Sequence, residues 1–191
     1  MKISSLALEG PLLIEPELFG DARGYFLEAY NSRRYREVGI LERFEQINRS
    51  RSKRGVLRGL HLQNPQAQPK LVSVIVGEVF DVAVDLRPGS RTFGQWIGER
   101  LSGENHRQLY IPAGFAHGFA VLSDEAIFSY ACSDFYAPEA ELGVRYDDPD
   151  IGIDWPLERP LLSEKDRAHP YLREIPLERF ELKSRSRGGQ G

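Results

Sequence analysis

Short runs rich in β-branched and aromatic residues, separated by turn-forming residues, fill the sequence between residues 70 and 134. Such runs are typical of β-strands, and turn signals about every 8 to 12 residues are typical of antiparallel sandwiches and barrels. The turn signals are Gly77-Glu78, Pro88-Gly89, Ser102-Gly103, Pro112-Ala113-Gly114 and Ser123-Asp124. The sequence therefore predicts an all-β fold with strands at 70–76, 79–86, 93–101, 108–111, 118–122 and 126–134.

Helical signals are few. Residues 32–38 form a short helical pattern that ends at Gly39, and residues 163–167 begin with the capping pattern Ser163-x-x-Asp166. No internal repeat or second core is present in the sequence, which predicts a single domain over residues 1–182. Residues 183–191 hold three basic side chains and no acidic one. We expect them to be a disordered basic tail because they have nothing to bury.

The basic residues are unevenly distributed. The formal net charge of the chain is −3, yet residues 49–58 hold five basic side chains and no acidic one. Two interpretations are open. The segment either binds an anionic ligand, or it is a solvated edge strand whose like charges discourage pairing with another sheet. A pI near 5.9 argues against a general nucleic-acid binder.

The sequence also excludes some classes of protein. No apolar run approaches the ~18 residues that a membrane-spanning helix needs, so no membrane partner is expected. The N-terminus reaches an acid, Glu9, before an apolar stretch of secretory length forms, and the single Cys132 has no second cysteine to pair with. These features predict a cytoplasmic location.

Two histidines and one strand carry the candidate chemistry. On a regular strand Arg58 and His61 would face opposite ways, but a bulge at Gly59 would bring both side chains to one face. His117, between small residues and phenylalanines, could be packed or functional. In the strand at 126–134, period-two alternation places Tyr130, Cys132 and Asp134 on the same face as Phe128. Polar groups on an inward face predict a lined cavity.

Six blocks of sequence occur in a fixed order between about residue 19 and residue 167. They are Asp21-x-Arg23-Gly24-x-Phe26-x-Glu28, Gln46-x-Asn48, residues 55–61 (GVLRGLH), residues 77–87 (GEVFDVAVDLR), residues 111–119 (IPAGFAHGF) and residues 162–166 (LSEKD). Together they resemble the dTDP-4-dehydrorhamnose 3,5-epimerase family. Six blocks in order are much more specific than any one of them.

The resemblance implies an all-β, cupin-type jelly-roll barrel with an N-terminal β arm and short C-terminal helices. It also implies a homodimer with exchanged N-terminal strands, acting on a dTDP-4-keto-6-deoxyhexose with no cofactor. Metal-binding cupins have a second histidine and a glutamate where this chain has Gln63 and Lys70, so of the usual four ligands only His61 and His117 remain. A protonated lysine offers no lone pair to a metal but suits an oxyanion, so we expect no metal.

By the same resemblance, the reaction is epimerisation at C3 and C5 of dTDP-4-dehydro-6-deoxy-glucose through an enolate, in dTDP-rhamnose biosynthesis. His61 is the expected base, Asp166 its orienting partner and Tyr130 the acid on the other face. Lys70 is expected beside the enolate oxygen. The expected substrate-binding residues are Arg23 and Glu28 from the partner subunit, together with Gln46, Asn48, Arg58, Lys70, His117, Tyr136, Glu141 and Lys165.

Three alternatives stay open from the sequence. Ile47, Arg49, Leu62 and Ala131 differ from the residues usual in the family, which leaves open an epimerase that inverts a single carbon, C3 or C5, of a related dTDP-4-keto-deoxysugar. A metal-dependent cupin enzyme would use His61 and His117 as ligands. A non-catalytic module would use the basic segment 49–58 to hold a nucleotide or RNA, with binding that depends steeply on salt.

Overall fold

The computed structural model describes residues 1–182, so the tail predicted at 183–191 lies outside the described residues. The described part is mostly strand. The elements in chain order are β1 (Lys2–Ser5), β2 (Leu12–Glu15), β3 (Leu18–Asp21), β4 (Gly24–Leu27), α1 (Ser32–Glu37), β5 (Gln46–Lys53), β6 (Leu57–Gln63), β7 (Lys70–Val76), β8 (Glu78–Asp85), β9 (Trp96–Ser102), β10 (Gln108–Ile111), β11 (Phe115–Val121), β12 (Glu125–Cys132), β13 (Glu141–Gly143) and α2 (Glu164–Arg167). Short 3₁₀ helices cover Pro138–Ala140, Leu172–Glu174 and Leu177–Arg179.

The strands form two antiparallel sheets and a separate hairpin. One sheet has six strands in the order β1-β2-β10-β7-β12-β5, and the other has five in the order β13-β6-β11-β8-β9. The predicted all-β jelly roll is confirmed. Strands that are neighbours in a sheet are often distant in sequence, as β5 is from β12. The arrangement therefore brings the segment around residues 46–63 next to the segments that hold His117 and Tyr130.

Apolar side chains from both sheets meet in the space between them. This core includes Val72, Leu109 and Phe128 from the six-stranded sheet, and Val79 and Phe119 from the five-stranded sheet. In each of these strands, one residue in two faces the opposing sheet.

The outer faces of the sheets are also covered. The five-stranded sheet packs Val82 and Val84 against Leu172 and Phe180 of the C-terminal segment. The six-stranded sheet packs Ile14 and Tyr110 against residues of the α1 region, including Tyr35 and Ile40. β8 and β11 are therefore buried on both sides, and their sequences read as nearly continuous apolar runs.

The predicted strands are largely confirmed, and two of them differ by three residues at their start. The strands at 70–76 and 108–111 have the predicted bounds. The strand predicted from 93 begins at Trp96 because residues 91–94 form a turn in which Gly94 has φ +79°. The strand predicted from 118 begins at Phe115, since Phe115, Ala116 and His117 continue the pairing with β8.

The two predicted helices are present at nearly their predicted bounds. In α1 the Asn31 side chain accepts from the amides of Arg33 and Arg34. In α2 the Ser163 hydroxyl accepts from the amide of Asp166 at 3.0 Å, which confirms the capping role of Ser163. Within residues 1–182, no helix has both the length and the apolar character that crossing a membrane would need.

The hairpin of β3 and β4 is the predicted N-terminal β arm. It pairs with neither sheet, and its residues are almost all exposed. Phe19 and Phe26 face each other across the hairpin with ring centroids 6.4 Å apart, and both are more than half exposed. A hairpin of two strands is marginally stable by itself in water.

Candidate active site

A cavity of about 450 Å³ lies between the two sheets at one end of the barrel. The five-stranded sheet contributes Arg58, His61 and His117, and the six-stranded sheet contributes Lys70 and Tyr130. The segment containing α2 borders it as well. The remaining lining residues are Gln46, Asn48, Ser50, Leu62, Gln63, Gln68, Phe119, Phe128, Tyr136, Glu141, Ser163, Lys165 and Asp166.

Eleven of the thirteen residues predicted from the sequence for the site line this cavity. The two others, Arg23 and Glu28, lie elsewhere in the chain. Arg23 is at the tip of the β3–β4 hairpin, where it donates to the carboxylate of Asp21. Glu28 accepts from Asn31 at 3.0 Å and forms an ion pair with Arg34 at 3.2 Å. One chain by itself therefore does not bring the whole predicted set together.

A bulge in β6 brings Arg58 and His61 to the same face of the strand, toward the cavity. His61 is opposite His117, while Arg58 is opposite Phe119, so β6 has one more residue than β11 over this stretch. Gly59 has φ +129°, and a Cβ there would lie 2.9 Å from the carbonyl oxygen of His117. The bulge predicted at Gly59 is confirmed, and the position admits no side chain.

His61 forms a close pair with Asp166. The imidazole Nε2 and the carboxylate Oδ1 are 2.7 Å apart, and the side chains are 32% and 6% exposed. Burial raises the pKa of Asp166, but the hydrogen bond and charge of His61 and the bond with Ser163 outweigh it and lower the pKa below 3.8. An ionised Asp166 accepts a hydrogen bond from the Nε2–H group, and in that tautomer the lone pair of His61 is on Nδ1.

His117 forms a second pair, with Asp81. The two atoms, His117 Nε2 and Asp81 Oδ2, are 2.9 Å apart and both side chains are buried. The ring of His117 stacks beside Phe128, whose own ring stacks on Phe119 at 4.1 Å. Burial raises the pKa of Asp81 against the influence of His117 and Lys70.

Sequence reasoning missed Asp81. The available signal was its position on the inward face of β8, in line with Val79 and Ala83. A carboxylate at such a position requires a partner, and the strand beside it holds His117. The pairing in space could have been inferred once β8 and β11 were known to be neighbours.

The wall opposite His61 presents Tyr130 and Lys70. Burial raises the pKa of Tyr130, with a further contribution from Cys132, so the hydroxyl is protonated at neutral pH. Burial lowers the pKa of Lys70, while Cys132, Asp81 and Glu141 act to raise it. Within residues 1–182 the ammonium of Lys70 has no hydrogen bond or ion pair with a side chain, so its donors are available to a ligand.

A chain of polar contacts borders the cavity at its exposed end. Glu141 Oε2 accepts from the Tyr136 hydroxyl at 2.7 Å and from Lys165 Nζ at 2.6 Å. Burial raises the pKa of Glu141, but these two bonds outweigh it and lower the pKa. Gln46 donates to Asn48 at 2.8 Å and accepts from the backbone amide of Tyr136. The ring of Tyr136 is half exposed and available for stacking.

Two groups of predicted residues are placed differently. Tyr130 lines the cavity, but Cys132 is buried beside it and the strand ends there, so Asp134 lies outside the alternation and borders a different groove. Of the five basic residues in 49–58, Arg58 lines the cavity, with Ser52 accepting from its Nε at 3.1 Å.

The rest of the basic segment lies on the edge of the sheet. Arg51 is paired with Glu125 and Arg54 with Asp124, at 3.0 Å in the second case. These pairs favour the edge-strand interpretation for that part of the segment.

His169 is a further residue that the sequence did not indicate. It follows α2, and one of its ring nitrogen atoms lies within 4.8 Å of a ring nitrogen of His61 and of a carboxylate oxygen of Asp166. A histidine in a loop, with no periodic pattern around it, gives no signal of such a contact.

A family model described as dTDP-4-dehydrorhamnose 3,5-epimerase matches residues 5–174. The chain belongs to the dTDP-4-dehydrorhamnose 3,5-epimerase family. The chain is 61% identical over 169 residues to the dTDP-4-dehydrorhamnose 3,5-epimerase of Pseudomonas aeruginosa, covering 87% of this chain and 93% of that one. It is 56% identical over 174 residues to the enzyme of the same name from Methanothermobacter thermautotrophicus, covering 90% and 94%.

A solved structure of this epimerase family superposes closely on the chain. The dTDP-6-deoxy-D-glucose-3,5-epimerase of Legionella pneumophila, in complex with dTDP-4-keto-L-rhamnose, gives a TM-score of 0.93 at 54% identity. The match covers 96% of this chain and 98% of that chain. Family and fold expected from the six sequence blocks are therefore confirmed.

Proposed function

We propose that the protein epimerises C3 and C5 of dTDP-4-dehydro-6-deoxy-glucose, giving dTDP-4-dehydro-rhamnose for deoxysugar synthesis. One observation carries the mechanism. The His61–Asp166 pair belongs to one wall of the cavity, and Tyr130 belongs to the sheet opposite. An epimerase needs a base and an acid on opposite faces of the carbon that it inverts.

The first step breaks a C–H bond next to the C4 ketone. His61 Nδ1 takes the proton, the electron pair of the bond forms a C=C double bond, and the carbonyl electrons move to oxygen as an enolate. Asp166 holds the tautomer through Nε2 and stabilises the imidazolium that forms. Because His61 is a third exposed and faces the cavity, its lone pair can reach a bound sugar.

The second step returns a proton from the opposite face. Tyr130 gives its hydroxyl proton to the carbon, and the enolate collapses back to the ketone. The raised pKa of Tyr130 keeps it protonated in the resting enzyme. Solvent then restores the protonation of Tyr130 and of His61, so the same site can act at the second carbon.

The enolate oxygen needs a positive charge or a hydrogen-bond donor. Lys70 is buried in the cavity with its donors unengaged, and His117 borders the same space. A positioned cation stabilises a developing oxyanion far more in a cavity with little water than in bulk solvent.

The nucleotide half of the substrate occupies the exposed end of the cavity. Arg58 is suited to the diphosphate because a guanidinium can contact two oxygens at once. Tyr136 stacks on the thymine. The remaining binding residues are Gln46, Asn48, Glu141 and Lys165.

The protein works as a homodimer with exchanged N-terminal strands. The hairpin of β3 and β4 exposes Phe19, Tyr25 and Phe26, which a second copy would cover. β5 is an edge strand of the six-stranded sheet and exposes Ile47, so it offers unpaired backbone groups close to the cavity. In this arrangement Arg23 and Glu28 complete the nucleotide site of the partner.

Subunit mixing tests the exchange. Arg23→Ala and His61→Asn chains are each expected to be nearly inactive. When equal amounts of the two chains dissociate and reassociate at random, about half of the dimers are mixed. Each mixed dimer contains one site with both native residues and one site with neither, so about a quarter of native activity should return. No recovery from mixtures whose mass is that of a dimer would show that Arg23 does not act in the partner's site.

A metal-dependent reaction is the weaker alternative. Within residues 1–182 the one group of three metal-ligating side chains is His61, Asp166 and His169. A divalent cation there would be bound by His61 and Asp166, the two residues that the proposed base consists of. The positive charge of Lys70 in the same cavity would also disfavour the binding of a cation. The alternative predicts loss of activity with a chelator.

The cytoplasmic location expected from the sequence stays a prediction.

The direct test of the function is exchange with solvent. Incubated in D₂O with dTDP-4-dehydro-6-deoxy-glucose, the protein should introduce deuterium at both C3 and C5, and His61→Ala should abolish the exchange. Deuterium at one carbon alone would replace the proposal with a single-carbon epimerase. No exchange at either carbon would overturn both, and retention of activity after chelation would exclude the metal alternative.

A further inference from the structure

His169 sits on the backbone of β13 beside the catalytic pair. A Cβ added at Gly143 would overlap three atoms of the His169 ring, so the ring rests directly on the glycine. Gly143 is the register partner of His61 in the pairing of β13 with β6. The contact therefore places the ring of His169 next to His61, and it requires glycine at residue 143.

The two imidazoles meet edge to face. Their centroids are 5.4 Å apart and their planes are at 90°. The Nδ1 atom of His169 is buried and has no hydrogen-bond partner within residues 1–182. His169 therefore touches the pair through its ring and not through a hydrogen bond.

The surroundings keep His169 uncharged. Burial lowers its pKa, as do His61 from β6 and Lys165 from α2, while Asp166 and Glu141 act in the opposite direction. A charged His169 would compete with His61 for the carboxylate of Asp166. A neutral ring can fill the space without weakening the hydrogen bond between His61 and Asp166.

We infer that His169 is a positioning residue for the base: its ring, seated on Gly143, fixes the orientation of His61 and keeps water away from the hydrogen bond to Asp166. The inference rests on the proposed function of His61. Rotation of the His61 ring would move Nδ1 away from the substrate carbon, and a misplacement of about 1 Å is enough to lower a rate by up to ~10². A perpendicular ring in contact blocks that rotation.

Two substitutions separate the ring from its nitrogen atoms. His169→Ala opens a space beside His61 and should lower kcat about tenfold while KM changes less than about twofold. His169→Phe restores an aromatic ring of similar shape and should recover most of the rate. The folding control is the NMR spectrum: signals as dispersed as those of the unsubstituted protein show that a variant is folded.

A spectroscopic readout tests the same point without turnover. In protein labelled with ¹⁵N-histidine, the proton on His61 Nε2 should give a sharp resonance that is assigned by its loss in His61→Asn. We expect His169→Ala to speed its exchange with water about tenfold, and His169→Phe to preserve it.

Two results would overturn the inference. Native kcat and an unchanged His61 resonance in His169→Ala would show that the ring positions nothing. A His169→Phe variant as impaired as His169→Ala would show that a nitrogen atom is needed instead. Failure of the unsubstituted protein to exchange substrate protons would contradict the proposed function, whereas the resonance would still report on the contact.

Discussion

The His61–Asp166 and His117–Asp81 pairs lie on one wall of the cavity, and their histidines are directly opposite on neighbouring strands. Their hydrogen bonds are similar, at 2.7 and 2.9 Å. The environments differ. His61 is 32% exposed to the cavity, while His117 is 9% exposed and packed against phenylalanine rings.

The difference in the carboxylates separates two roles for the same pair of groups. Asp166 has a lowered pKa and comes from the capped first turn of α2, where Ser163 holds it. Asp81 is fully buried with a raised pKa, and its Oδ1 atom has no hydrogen-bond partner within the described part of the chain. In the proposed mechanism the first pair moves a proton, and the second supports the charge of Lys70.

The largest contrast is expected between the two histidines. His61→Asn removes the proton acceptor and should lower kcat by about 10³, within the ~10² to 10⁴ that a positioned base supplies. His117→Asn leaves His61, the proton acceptor, in place and should lower kcat by only about tenfold. Steady-state kinetics on both variants, with their folding checked by circular dichroism, measures the contrast. Equal losses would remove the distinction between the pairs.

A smaller contrast is expected between the two aspartates. In Asp166→Asn the amide can donate to His61 Nε2, which moves the ring proton to Nδ1 and removes the lone pair from the substrate side. The expected loss of kcat is about 10². Asp81→Asn leaves His61 untouched and should cost about tenfold or less. A larger loss for Asp81→Asn than for Asp166→Asn would assign the base to His117.

The smallest effect is a change in pH dependence. Burial lowers the pKa of Lys70 below 10.5, and Asp81 partly offsets this. Activity should therefore fall as pH rises through the lowered pKa, before Tyr130 titrates, because burial raises the pKa of Tyr130 above 10.0.

Asp81→Asn removes a negative charge near Lys70, so it should move the fall in activity at high pH, the alkaline limb of the pH profile, to lower pH. Lys70→Arg, which keeps a positive charge at all accessible pH values, should move it to higher pH. Profiles of kcat/KM against pH check both directions. A limb that neither substitution moves would belong to another group.

Much of the fold and the site was predictable because each signal was local. Strands 70–76 and 108–111 end at turn residues that sit beside them in sequence. The bulge at Gly59 was signalled by a glycine inside a strand, between Arg58 and His61, which a bulge would bring to one face. The role of Ser163 as a helix cap followed from the spacing to Asp166.

The rest depends on contacts between distant segments. Asp81 meets His117 only because β8 lies beside β11, and His169 meets His61 only across β13. Asp134 was placed wrongly because the alternation stops where β12 ends, at Cys132. Arg51 and Arg54 pair with acids that lie about 70 residues further along the chain, so no signal in the sequence indicates that their charges are neutralised.

The central claim is that His61 removes a proton on one face and Tyr130 returns one on the other. Solvent exchange and net inversion measured together in Tyr130→Phe test it directly. With the base intact and the acid removed, deuterium should still enter the substrate from D₂O while inversion falls by about 10² or more. His61→Asn should lose both. Equal loss of exchange and inversion in Tyr130→Phe, or exchange that survives in His61→Asn, would contradict the claim.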